Sequence, residues 1–292
     1  METSELLKKV RKIEITTRGL TKQVFAGEYH SAFKGRGMAF SEVREYQFGD
    51  DVRNIDWNVT ARFGKPYIKI FDEERELTVT LLIDLSGSGE FGTQVQLKRE
   101  LITHVAAVLA FSAIQNNDKV GVIFFTDKIE KFIPPKKGKS HILRIIRELI
   151  EFQPEHKETN IAEALRFFAN AIKKRSTAFL ISDFIDKNEL SQALRIAKYK
   201  HDLIALRVFD KRETEIPAIG FVRMKDAESG KYLWVDTSNK KVRETYKKSQ
   251  LTANKYLTEL FKKSGIDYAS ISTSEDFVKP LMEMFKKRGI RS

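Results

Sequence analysis

Apolar strand patterns alternate with amphipathic helix patterns from about residue 77 onward, and this alternation limits the chain to few folds. The strand patterns are short, β-branched and apolar, as expected for strands buried on both faces. They are "LTVTLLID" (77–84), "KVGVIFF" (119–125), "TAFLISD" (177–183) and "LIALRVF" (203–209). Helical patterns separate them, as in "HILRIIRELIEF" and "NIAEALRFFANAIKK". Strands that are each followed by a helix indicate an open, mainly parallel sheet covered on both faces. We therefore predict a doubly wound α/β domain over residues 77–292.

Three segments depart from this alternation. Residues 1–76 begin with a short helix and continue into a Gly-rich, charged segment, so we predict an N-terminal extension packed on the main domain. Residues 210–237 predict a β-hairpin insertion, in which "FVRMKDA" and "KYLWVDT" meet around Ser229–Gly230. The segment "KIEKFI" (128–133) alternates like an edge strand, and Pro134 and Pro135 are expected to end it.

The composition excludes several classes of protein. The chain contains no cysteine, which excludes disulfides, thiolate zinc sites and thiol nucleophiles. The apolar stretch "LITHVAAVLAFSAI" is too short to span a bilayer, and the N-terminus lacks an apolar signal core. We therefore expect a cytoplasmic protein, with peripheral membrane contact left open. The formal net charge is +12, and much of the excess follows Lys240 in a lysine-rich helical pattern. Few aromatic residues lie among these charges, which favours a solvated helix face over a nucleic-acid surface.

A turn rich in serine and glycine follows the first predicted strand, in "TLLIDLSGSGEFG". Gly87, Gly89 and Gly92 match the G-x-G-x-x-G fingerprint of dinucleotide-binding sites. A pyrophosphate at this turn would face the carboxylates of Asp84 and Glu90, however, and the acidic residue expected about 20 positions later is missing. A Walker loop is excluded because no Gly-Lys-Ser/Thr follows. We therefore reject a nucleotide site.

The oxygen-bearing side chains of the same turn form the pattern D-x-S-x-S, which suits a hard divalent cation. Asp84, Ser86 and Ser88 alternate along the chain, so a tight turn allows all of them to point towards one centre. Asp183 is expected to join them from the end of a neighbouring strand. Thr159 precedes a predicted helix, where it acts either as a ligand or as a helix cap. Because every donor is a hard oxygen, we predict Mg²⁺ or Mn²⁺ rather than zinc.

The two aspartates of this set are expected to repel each other when no cation is bound. Asparagine in place of either Asp84 or Asp183 is therefore expected to stabilise the cation-free protein.

The order of these motifs supports a resemblance to a known site. The pattern D-x-S-x-S, then T-N-I-x-x-A-L, then a strand ending in S-D, resembles the metal-ion-dependent adhesion site of von Willebrand factor A domains. In such sites the residues matching Ser86, Ser88 and Thr159 usually contact the ion. Those matching Asp84 and Asp183 often act through water. The resemblance implies a von Willebrand factor A-like fold and one coordination position open to a carboxylate of a partner.

A second resemblance lies upstream. The segment "REYQFGDDVRNIDWNVTAR" (44–62) resembles the signature of a bacterial domain-of-unknown-function family, number 58, which carries such an A domain. Relatives are commonly encoded beside MoxR-type AAA+ ATPases, so the resemblance implies such an ATPase or its client as the partner. The charged residues of the signature are expected to form an ion-pair network that holds the extension on the A domain, with Trp57 as its apolar anchor. A second binding surface is the alternative. These charged residues are Arg44, Asp50, Asp51, Arg53, Asp56 and Arg62.

The leading hypothesis is a non-enzymatic, metal-dependent protein-interaction module that recruits clients as an adaptor. A metal-dependent hydrolase or phosphatase using the same ion is an alternative, although the sequence offers no obvious nucleophile–base pair and no second metal cluster. A basic nucleic-acid binder is the third interpretation, and it predicts binding that weakens steeply with salt.

Overall fold

The computed structural model describes residues 3–20, 29, 32, 39–72, 76–90, 97–186, 188–225 and 232–290. In chain order, the elements of its first half are α1 (Thr3–Leu20), β1 (Ala39–Glu45), α2 (Trp57–Phe63), β2 (Tyr67–Asp72), β3 (Thr78–Asp84), α3 (Lys98–Gln115), β4 (Lys119–Phe125) and β5 (Ile129–Lys136). The second half contains α4 (Lys139–Glu151), α5 (Ile161–Ala171), β6 (Thr177–Ser182), α6 (Ser191–Lys200), β7 (Asp202–Phe209), α7 (Lys211–Thr214), β8 (Phe221–Lys225), β9 (Tyr232–Asp236), α8 (Lys240–Lys263), β10 (Asp267–Ser272) and α9 (Val278–Gly289).

Six strands form the central sheet, in the order β10-β7-β6-β3-β4-β5. Every neighbouring pair is parallel except β4–β5. The first strand, β3, lies between β6 and β4, so the chain winds outward from β3 in both directions. The predicted doubly wound, von Willebrand factor A-like α/β fold is confirmed.

The helices cover the sheet with apolar faces that the sequence pattern anticipates. In α5, Ile161, Ala164, Leu165 and Phe168 recur at helical spacing and are all buried. They belong to one apolar cluster with Leu82 of β3 and residues of β4 and β6. The strands β3, β4 and β6 are buried over nearly their whole length because helices cover both of their faces.

The predicted end of the edge strand is wrong, because β5 continues through both prolines to Lys136. β5 pairs with β4 alone, and an edge strand tolerates residues without an N–H group. The register also shifts here, since Val120 pairs with Lys136 and Val122 with Ile133. A Cβ on Gly121 would lie 2.8 Å from Cγ of Pro135. The bulge therefore requires glycine opposite the prolines.

The C-terminal residues contribute the sheet's other edge, which the sequence analysis did not identify. β10 pairs in parallel with β7, and α9 follows it. Arg288 of α9 forms ion pairs with Asp267, at 2.7 Å, and with Asp202. Phe285 is fully buried and contacts Phe179 of β6 edge to face. The last two elements are thus integral to the main core.

The chain divides into two compact units, Met1–Ala32 with Thr78–Ser292 and Phe33–Leu77. This division differs from the predicted extension over residues 1–76, because α1 contacts α3 and α4 of the main unit. Glu14 of α1 also forms an ion pair with Lys139 at 2.7 Å. Docking of residues 33–77 on the main unit stays a prediction.

The second unit consists of the antiparallel pair β1–β2 with α2 between the strands in sequence. Part of the expected ion pairing is present, since Arg44 donates to both carboxylate oxygens of Asp50 at 2.8 Å. Asp51 and Asp56 accept backbone N–H bonds at the starts of a 3₁₀ turn and of α2, and Asp56 also forms an ion pair with Lys69 at 3.5 Å. Trp57, the expected apolar anchor, is 69% exposed, and its contact with the main domain stays a prediction.

The predicted hairpin insertion is present as the antiparallel pair β8–β9. Its expected turn around Ser229–Gly230 lies outside the described residues. The hairpin exposes several large apolar side chains, and the rings of Phe221 and Trp234 stack at a centroid distance of 5.4 Å. Among the described residues, no helix is both long and apolar enough to cross a membrane.

Candidate metal centre

Two adjacent parallel strands bring the predicted carboxylates to one edge of the sheet. β3 ends at Asp84, and β6 ends at Ser182, immediately before Asp183. The Ser182 hydroxyl donates to Oδ2 of Asp84 at 2.6 Å, and the Ser86 backbone N–H donates to Oδ1 at 2.9 Å. Each Asp84 oxygen therefore has a partner that fixes the orientation of the carboxyl group.

The serine hydroxyls of the turn lie close together. A 3₁₀ turn at Gly87–Glu90 follows β3, and the hydroxyls of Ser86 and Ser88 are hydrogen-bonded to each other, with their Oγ atoms 3.1 Å apart. Adjacent ligands of an octahedral Mg²⁺, each about 2.1 Å from the ion, lie about 3.0 Å apart. The two oxygens therefore have the spacing of neighbouring octahedral ligands. Gly92 and the side chain of Glu90, from the rejected nucleotide interpretation, lie outside the described residues.

The loop that carries Thr159 is hydrogen-bonded to this turn. The Gly87 N–H donates to the Lys157 carbonyl at 2.9 Å, and the Asn160 N–H donates to the Thr126 carbonyl at 3.0 Å. Thr159 itself is buried. The alternative role of Thr159 as helix cap is wrong, because the N-cap of α5 is Asn160, whose side chain accepts from the Glu163 N–H.

Asp183 differs from Asp84 in having a buried cation as its partner. Its Oδ1 accepts from the Ile185 N–H at 3.0 Å, and its Oδ2 accepts from the Lys98 ammonium at 2.7 Å. The same ammonium lies 2.6 Å from Oε1 of Glu213 in α7. Lys98 is only 1% exposed. The edge of the sheet thus holds three carboxylates and one internal ammonium.

These contacts set different protonation behaviour for the acidic groups and the lysine. Burial, followed by the charge of Asp183, raises the pKa of the Asp84 carboxyl to about 7, although hydrogen bonds from Ser182 and Ser86 act in the opposite direction. Burial alone would lower the pKa of the Lys98 ammonium, but the charges of Asp183 and Glu213 outweigh it and raise that pKa. Among the residues that the structure describes, Asp84 is therefore the carboxyl of this group without a fixed counter-charge.

The donor set fits a hard divalent cation. Asp84, Ser86, Ser88 and Asp183 lie at one edge, and Thr159 lies on the loop hydrogen-bonded to the same turn. Every candidate donor is an oxygen, and the two serine hydroxyls have octahedral spacing. Within the described part of the chain, no group of three or more His, Cys, Asp or Glu side chains is suitable for a metal. The set therefore fits Mg²⁺ or Mn²⁺ better than zinc. The role of these five residues as metal ligands stays a prediction.

A cavity of about 350 Å³ opens beside these residues. Asp84, Ser86 and Gly87 line one part of it. Arg99 and Lys157 also line it, so cationic side chains lie next to the candidate centre. A small acidic group in this cavity would therefore be attracted by nearby positive charge.

Three further charged residues at this edge, Lys98, Glu213 and Asp186, are not predicted by the sequence patterns. Asp186 accepts from the Ile161 N–H at 2.8 Å and so supports the start of α5. The sequence carries no distinctive signal for Lys98, since it begins the charged triplet Lys98-Arg99-Glu100 just before an apolar helical run. Glu213 lies in the insertion, where nothing in the spacing connects it with Asp183.

Comparisons with known proteins agree with this architecture. The family profile described as "Protein of unknown function DUF58" matches residues 42–256. Uncharacterized protein Mb1516 of Mycobacterium bovis and uncharacterized protein Rv1480 of Mycobacterium tuberculosis are each 30% identical over 232 residues, covering 79% of this chain and 73% of the relative.

Two solved structures show the same fold. The conserved hypothetical protein BatB from Bacteroides thetaiotaomicron has a TM-score of 0.50 and 17% identity, covering 74% of this chain and 100% of that one. An aerotolerance-related membrane protein from Bacteroides fragilis has a TM-score of 0.51 and 16% identity, with the same coverage. At such identities the likeness concerns the fold alone.

Proposed function

This chain belongs to the DUF58 family of proteins of unknown function, and we propose that it is a non-enzymatic, cation-dependent protein-interaction module. The spacing of 3.1 Å between the hydroxyls of Ser86 and Ser88 carries this proposal, because it matches neighbouring positions around Mg²⁺. The ligand set would be Asp84, Ser86, Ser88, Thr159 and Asp183, with Mg²⁺ or Mn²⁺ as the ion. When bound, the ion supplies an open coordination position for an anionic oxygen.

The remaining residues of the centre have defined tasks in this proposal. Hydrogen bonds from Ser182 and Ser86 orient the Asp84 carboxyl, and the Ile185 N–H orients Asp183. As the resemblance implies, both carboxylates would act through water, and the hydroxyls would hold the ion. Arg99 and Lys157, at the cavity, attract a carboxylate of the partner. The partner would be a MoxR-type AAA+ ATPase or its client in the cytoplasm, and the resemblance of the sequence is the support for that choice.

Cation binding is tested by titrating the purified protein with Mg²⁺ in a calorimeter. The Ser86→Ala variant should lose at least about tenfold in affinity because it removes a direct oxygen. Ser249→Ala is the matched control, because Ser249 donates only to its own helix at Tyr246. Equal Mg²⁺ affinity in the wild type and in Ser86→Ala would contradict the proposed centre.

Partner binding is tested by immobilising the full chain and identifying captured proteins in Mg²⁺ and in EDTA. The proposal requires an AAA+ ATPase or its client to be retained in Mg²⁺ and released by EDTA. Ser86→Ala should fail to retain the same protein, whereas Ser249→Ala should retain it. Capture that is unchanged by EDTA would rule out an ion-bridged contact.

One observation favours a hydrolase as the second candidate. Asp84 is buried beside a cavity of about 350 Å³, and burial raises its pKa in the cation-free protein to about 7, which suits a general base. The variant Asp84→Asn separates the candidates. An interaction module loses Mg²⁺-dependent partner binding in this variant, whereas a hydrolase retains binding and loses turnover.

A further inference from the structure

Lys98 is a buried cation placed between two carboxylates from distant parts of the chain. It is the first residue of α3, and its ammonium lies 2.7 Å from Asp183 and 2.6 Å from Glu213. A buried lysine is costly unless it is paired, and here both partners are in direct contact. The side chain therefore has a fixed position at the candidate cation centre although it supplies no ligand.

Glu213 connects this ammonium to the beginning of the insertion. Glu213 belongs to α7, and its Oε2 accepts from the Asp210 N–H at 3.1 Å in a capping box. The Tyr246 hydroxyl of α8 donates to the Glu213 carbonyl at 2.7 Å. The position of α7 thus depends on Lys98 from one side and on α8 from the other.

A divalent cation at the centre and the Lys98 ammonium would both interact with the Asp183 carboxylate. Asp183 would balance the charge of the ion through a bridging water, and its Oδ2 already accepts from Lys98. Positive charge added beside Asp183 weakens that contact by repulsion, whereas the contact between Lys98 and Glu213 is unaffected by competition. Arg207, whose charge also interacts with Asp183 and Glu213, adds to the repulsion.

We propose that Lys98 is an internal counter-cation that limits the Mg²⁺ affinity of the centre and couples Mg²⁺ binding to α7 through Glu213. This inference rests on the proposed cation centre and adds its regulation. Occupancy of the centre shifts the Lys98 ammonium towards Glu213 and tightens α7. By reciprocity, anything that changes the position of α7 or Glu213 changes the affinity for the cation.

The test uses Mg²⁺ calorimetry on single variants and on the double variant of the full chain. Glu213→Gln should bind Mg²⁺ about fivefold more weakly, because Lys98 is then held by the charge of Asp183 alone. Lys98→Met should bind about tenfold more tightly, because the competing charge is gone. Adding Glu213→Gln to Lys98→Met should then change the affinity less than about twofold, since Lys98 mediates the effect.

The chain offers a matched control and a conservative variant. Lys131 and Glu148 form an ion pair of 2.6 Å between β5 and α4, and β4 separates β5 from β3 in the sheet. Lys131→Met and Glu148→Gln should leave Mg²⁺ affinity unchanged. Lys98→Arg keeps the charge and should remain close to the wild type. If Lys98→Met fails to fold, Glu213→Gln, measured by Mg²⁺ affinity and by hydrogen exchange, still decides the question.

Hydrogen exchange supplies a measurement that should not respond to Mg²⁺ if Lys98 and Glu213 have only a structural role. Adding Mg²⁺ should slow amide exchange in residues 211–214 about threefold in the wild type, and this response should be absent in Glu213→Gln. The coupling is overturned if Mg²⁺ binds with equal affinity to the wild type, Glu213→Gln and Lys98→Arg and leaves hydrogen exchange in α7 unchanged. The proposed cation centre would remain intact in that case. Absence of Mg²⁺ binding in every folded variant overturns both the coupling and the proposed function.

Discussion

Replacing Asp84 with asparagine should remove a pH-dependent loss of stability from the cation-free protein. Asp84 is 4% exposed, and burial together with Asp183 raises its pKa from the ordinary 3.8 to about 7. The folded state therefore favours the protonated carboxyl. The stability that this protonation contributes is full below pH 4 and is lost as the pH rises to about 7.

The magnitude follows from the size of the shift. One pKa unit corresponds to about 1.4 kcal/mol, so ionising Asp84 in the folded protein costs about 4 kcal/mol at pH 8. At pH 5 the folded carboxyl is still protonated, and the corresponding cost is about 1.5 kcal/mol. Asp84 alone should therefore remove about 2.5 kcal/mol of stability between pH 5 and pH 8. Asparagine does not ionise, so the Asp84→Asn variant loses none of this stability.

Urea denaturation in EDTA at both pH values measures this difference. The wild type should lose about 2.5 kcal/mol more than Asp84→Asn on going from pH 5 to pH 8. Titration of other groups cancels because both proteins contain them. The asparagine amide fits the Ser182 hydroxyl less well, which costs about 1 kcal/mol, but this cost is the same at both pH values. Equal losses in the two proteins would refute the buried, cation-free acid described above.

Three further outcomes are expected. Ser86→Ala should keep the melting temperature within about 2 °C while Mg²⁺ affinity falls, as measured by thermal unfolding and calorimetry. Gly121→Ala should destabilise by about 1–3 kcal/mol in urea unfolding, because its Cβ would meet Pro135 at 2.8 Å; an unchanged midpoint would show that β5 moves freely. Asn160→Ala should cost about 1 kcal/mol by losing the α5 cap, whereas Asn160→Asp should cost little.

Much of the fold is readable from the sequence because the strands of the central sheet are buried on both faces. Burial on both faces requires continuous apolar runs, and these are conspicuous at β3, β4, β6 and β7. β10 was not predicted because it lies at an edge of the sheet, where partly buried and exposed residues interrupt the apolar run. β5 was predicted to end too early for a related reason, since prolines that would break a central strand are tolerated at an edge.

The candidate centre was readable only where its residues lie at strand ends or in one turn. Asp84 and Asp183 follow buried strands, and parallel strands bring their carboxyl ends to one edge of the sheet. Lys98 and Glu213 contact this edge from a helix start and from the insertion, 115 positions apart in the chain. Such a contact depends on the packed structure and leaves no periodic signal.

Asp183→Asn should have the opposite effect to Asp84→Asn, although the two aspartates lie at neighbouring strand ends. The sequence predicts stabilisation from either substitution, because it shows only two acids that repel each other. In the structure, Lys98 neutralises Asp183 at 2.7 Å, so asparagine there removes one partner of a buried ion pair. Removing one partner of such a pair costs about 3–5 kcal/mol, and the contact of Lys98 with Glu213 places the expected loss at about 3 kcal/mol. Urea unfolding in EDTA at pH 7 should therefore rank Asp84→Asn above the wild type and Asp183→Asn below it. The opposite order would show that Lys98 does not neutralise Asp183.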